Sequence, residues 1–191
     1  MKAVTPKFRV SYPSLFTPKK NDLNGKTEFS VVALFKKGEN LEMLTKAAQA
    51  ALVKKFGADK TKWPENIRSP FRDQKERAKN VDGRKVLPDG YEEGAIFMNL
   101  KSMNRPGVVG PDMVPVLDEQ ELYAGCYARA SVMAYAYDIK GNRGVSFGLQ
   151  NVQKVADGDT LSGRSKVEED FAPIADSGTD LGTMSASDLF A

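Results

Sequence analysis

Tyr123, Tyr127, Arg129, Ser131, Met133, Tyr135 and Tyr137 fall on alternate positions of one stretch of the chain. Flat phenol rings with a cation among them suit one kind of chemistry. The rings stack on the π-faces of nucleobases, and a guanidinium adds a phosphate or cation–π contact. A duplex hides its base faces, so such a set favours single strands. The intervening positions hold Cys126, Ala128, Ala130, Val132, Ala134 and Ala136, which are small and mostly apolar. On a β-strand the two sets face opposite ways, and the small face lets another element approach closely. The alternative reading places the rings in the core and covers the small face with a helix, since buried tyrosine is common. Arg129 argues that part of the ring face meets water or an anion, because an arginine inside a strand is rarely buried without a partner.

Other chemistries find little support. The 191 residues contain no histidine and one cysteine, Cys126. That removes Ser-His-Asp and Cys-His catalysis, His-containing zinc sites, zinc ribbons and any internal disulfide. No phosphate-binding GxxxxGK[ST] loop is present. One enzymatic alternative is a Mg²⁺-dependent nuclease built on Asp112, Asp118, Glu119 and Glu121. These acids lie on a proline-rich loop with no lysine in a recognisable arrangement, so neither cofactor nor metal is expected. No apolar run reaches the length of a membrane span, and no apolar stretch follows Met1-Lys2 as in a secretory signal. A cytoplasmic location is therefore expected.

The formal charge of +3 hides a division. Beyond Lys166 there are six acids and no base; removing those six from the 25 acids leaves 19 against 28 bases, a net of +9 for the first 166 residues. A basic body with an acidic tail signals a partner. A second alternative follows: a structural or inhibitory protein whose basic surface binds an acidic protein.

The stretch 122–155 reads as a hairpin reversing at Lys140-Gly141-Asn142-Arg143-Gly144, with Phe147, Leu149, Asn151 and Gln153 sharing a face of its second arm. Before it come a short strand over 7–12 broken by Pro13 and Pro18, and a strand over 26–37. A helix over about 41–56 follows, with Leu41, Leu44, Ala48, Ala51, Leu52 and Phe56 as its buried stripe. Asn40 is placed to cap it and Gly57 to end it. A further strand over 94–103 puts Phe97, Asn99 and Lys101 on one face. Residues 58–93 form a long irregular loop; nine bases and four acids between Lys60 and Lys85 are interleaved with Trp63 and Phe71. These elements predict a mainly β fold: an OB-like small barrel with one helix, a long basic loop and a flexible acidic C-terminal tail. The helix follows the second strand, earlier than in the commonest OB connectivity.

The segments Tyr91-Glu92-Glu93-Gly94, Arg105-Pro106 with Val108-Val109, Tyr123-Ala124-Gly125-Cys126-Tyr127-Ala128-Arg129, Ala136-Tyr137-Asp138 and Gly144-Val145-Ser146-Phe147-Gly148-Leu149-Gln150-Asn151-Val152-Gln153-Lys154 make the chain resemble the single-stranded DNA-binding proteins that tailed bacteriophages encode. The hairpin segment is the specific part, and the resemblance covers most of residues 5–157. It implies an OB-fold DNA-binding domain over 1–157 and a disordered acidic tail over 158–191. It also implies sequence-independent coating of single strands during DNA replication or recombination, as monomer or homodimer, in the host cytoplasm. The stacking residues expected are Tyr127, Tyr135, Tyr137, Phe97 and Phe71. Those expected to meet phosphates are Arg129, Lys101, Arg105, Arg72, Lys36 and Arg143. Asp180, Asp188, Leu189 and Phe190 of the tail are expected to recruit replication proteins.

Overall fold

The computed structural model describes residues 1–21 and 25–161. The strands are β1 (Lys2–Val4), β2 (Phe8–Lys20), β3 (Thr27–Leu34), β4 (Arg72–Asp73), β5 (Lys79–Val81), β6 (Arg84–Val86), β7 (Ile96–Ser102), β8 (Gly107–Val109), β9 (Tyr127–Ile139) and β10 (Asn142–Ala156). The helix α1 spans Glu42–Phe56, between β3 and β7. Five strands close into a ring in the order β2, β3, β7, β10, β9 and back to β2. Every pair in the ring is antiparallel except β7 with β10, where Leu100 and Lys101 run parallel to Phe147 and Gly148. This is the expected OB-like barrel, with its helix after the second strand of the ring. Closure leaves those five strands few unpaired edges, which a sheet of this size must otherwise protect.

The interior is built where β9 turns its small residues inward. Ala128, Ala130, Val132 and Ala134 are buried in one cluster with Leu44, Ala47, Ala48 and Ala51 of α1 and with Phe8, Phe35 and Phe147. Short side chains on both elements let the helix pack directly on the strand. The helix starts where the Asn40 Oδ1 accepts the Glu42 N–H at 2.9 Å. It ends at Gly57, whose φ of 92° suits glycine and whose N–H bonds the Val53 carbonyl at 2.9 Å.

The chain departs from its sequence-based reading in four places. Pro13 and Pro18 do not end the first long strand. Register shifts between Ser11 and Ser14 and between Ser14 and Lys19 absorb them, with Tyr12 at a φ of 44°, so β2 continues to Lys20. The hairpin reverses on Lys140 and Gly141 alone, with φ of 50° and 81°, so Asn142 and Gly144 belong to β10. A bulge between Leu149 and Asn151 then turns Val152 inward and moves Asn151 and Gln153 to the outer face. Finally, 58–93 is not without structure. It holds 3-10 turns at Lys60–Lys62 and Gln74–Arg77, the strand β4 against β7, and the exposed hairpin β5–β6. Asp82 and Gly83 turn that hairpin with φ of 49° and 79°, the conformation that Asp-Gly favours in two-residue loops.

Two predictions follow from this packing. Ala130→Leu overpacks the contact between β9 and α1 and lowers unfolding stability by about 1–3 kcal/mol in urea titrations, whereas Tyr135→Ala on the opposite face changes it by less than about 0.5 kcal/mol. Cys126 is wholly buried, and burial pushes its thiol up from 9.0 to about 11. At pH 8 that shift lowers its thiolate fraction about a hundredfold, so a maleimide labels the native protein far more slowly than the urea-unfolded chain. Equal labelling rates contradict this packing.

Candidate nucleic-acid interface

The outer face of the β9–β10 hairpin carries the rings. Directly opposite residues of an antiparallel pair share a face, and the register sets Tyr137 opposite Gly144, Tyr135 opposite Ser146 and Met133 opposite Gly148. Each large side chain therefore lies across a small one. A Cβ on Gly144 would sit 2.5 Å from the Tyr137 hydroxyl, so that ring crosses the glycine closely. Tyr135 is 49% exposed and Met133 41%, so this face meets solvent. Gly148 also pairs with Lys101 of β7, and the Tyr135 ring reaches within 3.8 Å of a Cβ built on it. The open part of this face is a shallow lane over Ser146 and Gly148, with Tyr135 on one side and Lys101 on the other; Gly144 is buried beneath the Tyr137 ring and beside the Arg68 carbonyl. Arg143 is a correction: it lies opposite Asp138, pairs with it at 3.0 Å, and by alternation belongs to the other face of the hairpin from Tyr137 and Gly144. Lys101 pairs with Glu28 at 3.2 Å. Further along β9, exposed Arg129 donates its Nε to the Gln153 Oε1 at 2.8 Å, which holds the guanidinium on the surface.

Tyr127 and Lys36 belong to a different place. They line a cavity of about 290 Å³ with Lys7 and Arg9, two cations that sequence reasoning passed over. The alternation of Lys7 and Arg9 with buried Phe8 and Val10 carries that signal. Phe97 is a correction. Its ring is 0% exposed, covered by the guanidiniums of Arg72 at 5.1 Å and Arg77 at 4.8 Å, and joined to Val32, Leu34 and Tyr91 in a second apolar cluster. The basic insertion lies over this part of the barrel, so the ring is closed to a base and Arg72 is engaged, also with Glu76. Phe71 is half-buried, edge-on to Phe147 at 6.1 Å. Arg105 stands apart over the Phe16 ring at 5.7 Å. The tail residues Asp180, Asp188, Leu189 and Phe190 lie outside the described residues.

Tyr123, although on the ring face by spacing, has a structural task. Its hydroxyl accepts the Gly158 N–H at 3.1 Å and lies 3.0 Å from an Asp157 carboxylate oxygen, and burial raises its phenol above the ordinary value. The Asp157 carboxyl is lowered by hydrogen bonds from Lys154, at 2.7 Å, and from Tyr123. This clamp turns 157–161 back over the barrel, where the Leu161 N–H bonds the Ala124 carbonyl at 2.9 Å. The acids of the nuclease alternative are not assembled into a site. Asp112 and Asp118 accept backbone N–H groups of their own turns, and among the described residues no group of three or more acidic, Cys or His side chains is gathered to hold a metal.

Known proteins share this architecture. The single-stranded DNA-binding protein of bacteriophage Enc34, solved in complex with ssDNA, superposes with a TM-score of 0.61 at 20% identity, covering 83% of this chain and 88% of that one. Gp2.5, a single-stranded DNA-binding protein of bacteriophage T7, superposes with a TM-score of 0.57 at 14% identity, covering 86% and 97%. In sequence, putative protein p50 of Acyrthosiphon pisum secondary endosymbiont phage 1 is 28% identical over 166 residues, 85% of this chain and 88% of the relative. The family described as the Enterobacter phage Enc34 ssDNA-binding protein matches residues 1–181, and the chain belongs to that family.

Proposed function

We propose that this protein coats single-stranded DNA without sequence choice during phage DNA replication and recombination, by ring stacking and phosphate neutralisation. The observation that carries the reading is the exposed ring of Tyr135, with half-buried Tyr137 next to it on the same face, across from Ser146 and beside Lys101. Bases stack on the rings, and half-buried Ser146 and Gly148 leave room for the sugar–phosphate chain. Lysine and arginine release counterions from the backbone. Lys101 has a half-exposed side chain, and its ammonium can meet a phosphate while Glu28, largely buried, keeps its bond from Asn21. The Enc34 complex supports the same partner here. The reading assigns no turnover to the protein, and the acidic tail with Asp180, Asp188, Leu189 and Phe190 then serves to engage replication proteins.

Titration into oligo-dT of about 30 nucleotides and into a duplex of equal length, at two salt concentrations, tests the reading. Tight, salt-sensitive binding with strong preference for the single strand is expected, and equal binding to both forms favours a generic basic protein instead. Magnesium is expected to cause no loss of DNA. Tyr135→Ala is expected to weaken oligo-dT binding by about 1–3 kcal/mol, roughly 5- to 150-fold, with its salt dependence unchanged. Lys101→Ala is expected to make the slope of log K against log salt shallower by about 0.7, the share of one phosphate contact on a single strand.

A further inference from the structure

We propose that the cavity holding Tyr127 is a second station for the bound strand, taking one everted nucleotide; this rests on the single-strand reading above. The cavity lies between the start of β9, the start of β2 and the segment just after β3. Across the sheet, Arg9 pairs with Tyr127 on one side and with Leu34 on the other, so an aromatic ring, a guanidinium and an aliphatic side chain form one outward row. At about 290 Å³ the cavity lies at the low end of small-ligand pockets, suited to a single nucleotide.

Each wall has a separate task. The Tyr127 ring is held in place by Gly158, where a Cβ would come within 3.0 Å of Cε2, so it offers a fixed stacking surface. Arg9 is pinned by the carbonyls of Gly125 at 3.3 Å and Asp159 at 2.8 Å. A guanidinium bonded to carbonyls keeps its full charge, so Arg9 provides a stationary positive field. Lys7 and Lys36 are the adjustable members. Lys7 places its ammonium 5.2 Å above the Tyr127 ring, and among the described residues neither lysine has a salt bridge. An arriving base displaces the Lys7 ammonium from the ring, and the freed ammonium turns to the flanking phosphate. The exchange is favourable because stacking on a tyrosine outweighs an exposed cation–π contact. Glu39 and Glu92 also line the cavity, so its three cations face two carboxylates. That balance favours a nucleotide within a strand, whose charge is one per phosphate, over a free polyphosphate.

The station also gives the strand a direction. Tyr127 and Tyr135 share the outer face of β9, eight residues apart, or about 26 Å at roughly 3.3 Å per residue. Arg129, Ser131 and Met133 occupy the face between them, so one strand can run from the cavity to the glycine lane.

Photo-crosslinking tests this. The full chain is bound to oligo-dT carrying a single 5-iododeoxyuridine, irradiated, and the crosslinked peptides are mapped. Crosslinks at Tyr127 as well as at Tyr135 or Tyr137 are expected. The Lys7→Ala/Lys36→Ala double variant alters only exposed side chains, and it is expected to reduce the Tyr127 crosslink several-fold while the Tyr135 crosslink persists. Its salt slope is expected to be shallower by about 1.4, the share of two phosphate contacts. Crosslinks confined to Tyr135 and Tyr137 overturn the station and leave the single-strand reading intact. A double variant whose Tyr127 crosslink and salt slope are both unchanged overturns the assigned lysine roles. Absence of oligo-dT binding overturns the station and the single-strand reading together.

Discussion

The alternation along β9 is the constraint on which both the barrel and its surface depend. This strand closes the ring by pairing with β2 on one side and β10 on the other. Its inward residues are small because the helix packs on them; its outward residues are free to be large. Because strand side chains repeat every two residues, a slip of one position would put tyrosines against the helix and alanines against solvent. The long pairing with β10 and the packed helix both oppose that slip. The same register that completes the core therefore presents the rings.

The opposing strand completes the surface. Gly144, Ser146 and Gly148 face Tyr137, Tyr135 and Met133; the Tyr137 ring covers Gly144, and the face stays open over Ser146 and Gly148. Larger residues at Ser146 or Gly148 would fill the lane, as the Tyr137 ring already fills the space over Gly144. The bulge after Leu149 divides β10 into two parts. Up to Leu149 the strand follows simple alternation; beyond it Val152 enters the core and Gln153 becomes the partner that steadies Arg129.

Much of this was legible in the sequence. The two faces of 126–137, the strands over 26–37 and 94–103, the helix and its place after the second strand all follow from periodicity and capping residues. The bulge was not legible, because an inserted residue leaves no mark on composition and only breaks the phase of the alternation. Phe97 was misplaced for a related reason. Its position correctly puts it on the outer face of β7, yet the insertion folds over that face, a long-range contact that no local pattern reports. Charge counting likewise overstated the free cations: Arg72 and Arg77 cover Phe97, and Arg9 is tied to two carbonyls. Lys7 and Arg9 were readable from their alternation with Phe8 and Val10, but they acquire meaning only when β2 is set beside Tyr127.

The central claim is that the exposed tyrosines of β9 are the surface that meets the bases. Nitration of the native protein by tetranitromethane, with the modified tyrosines mapped by mass spectrometry, tests it most directly. Tyr12, exposed on β2 and outside the β9 ring face, serves as the internal reference. The account predicts that saturating oligo-dT protects Tyr135 while Tyr12 continues to react, and that an equal concentration of duplex protects neither. Undiminished nitration of Tyr135 in a protein shown to be saturated with oligo-dT would contradict it.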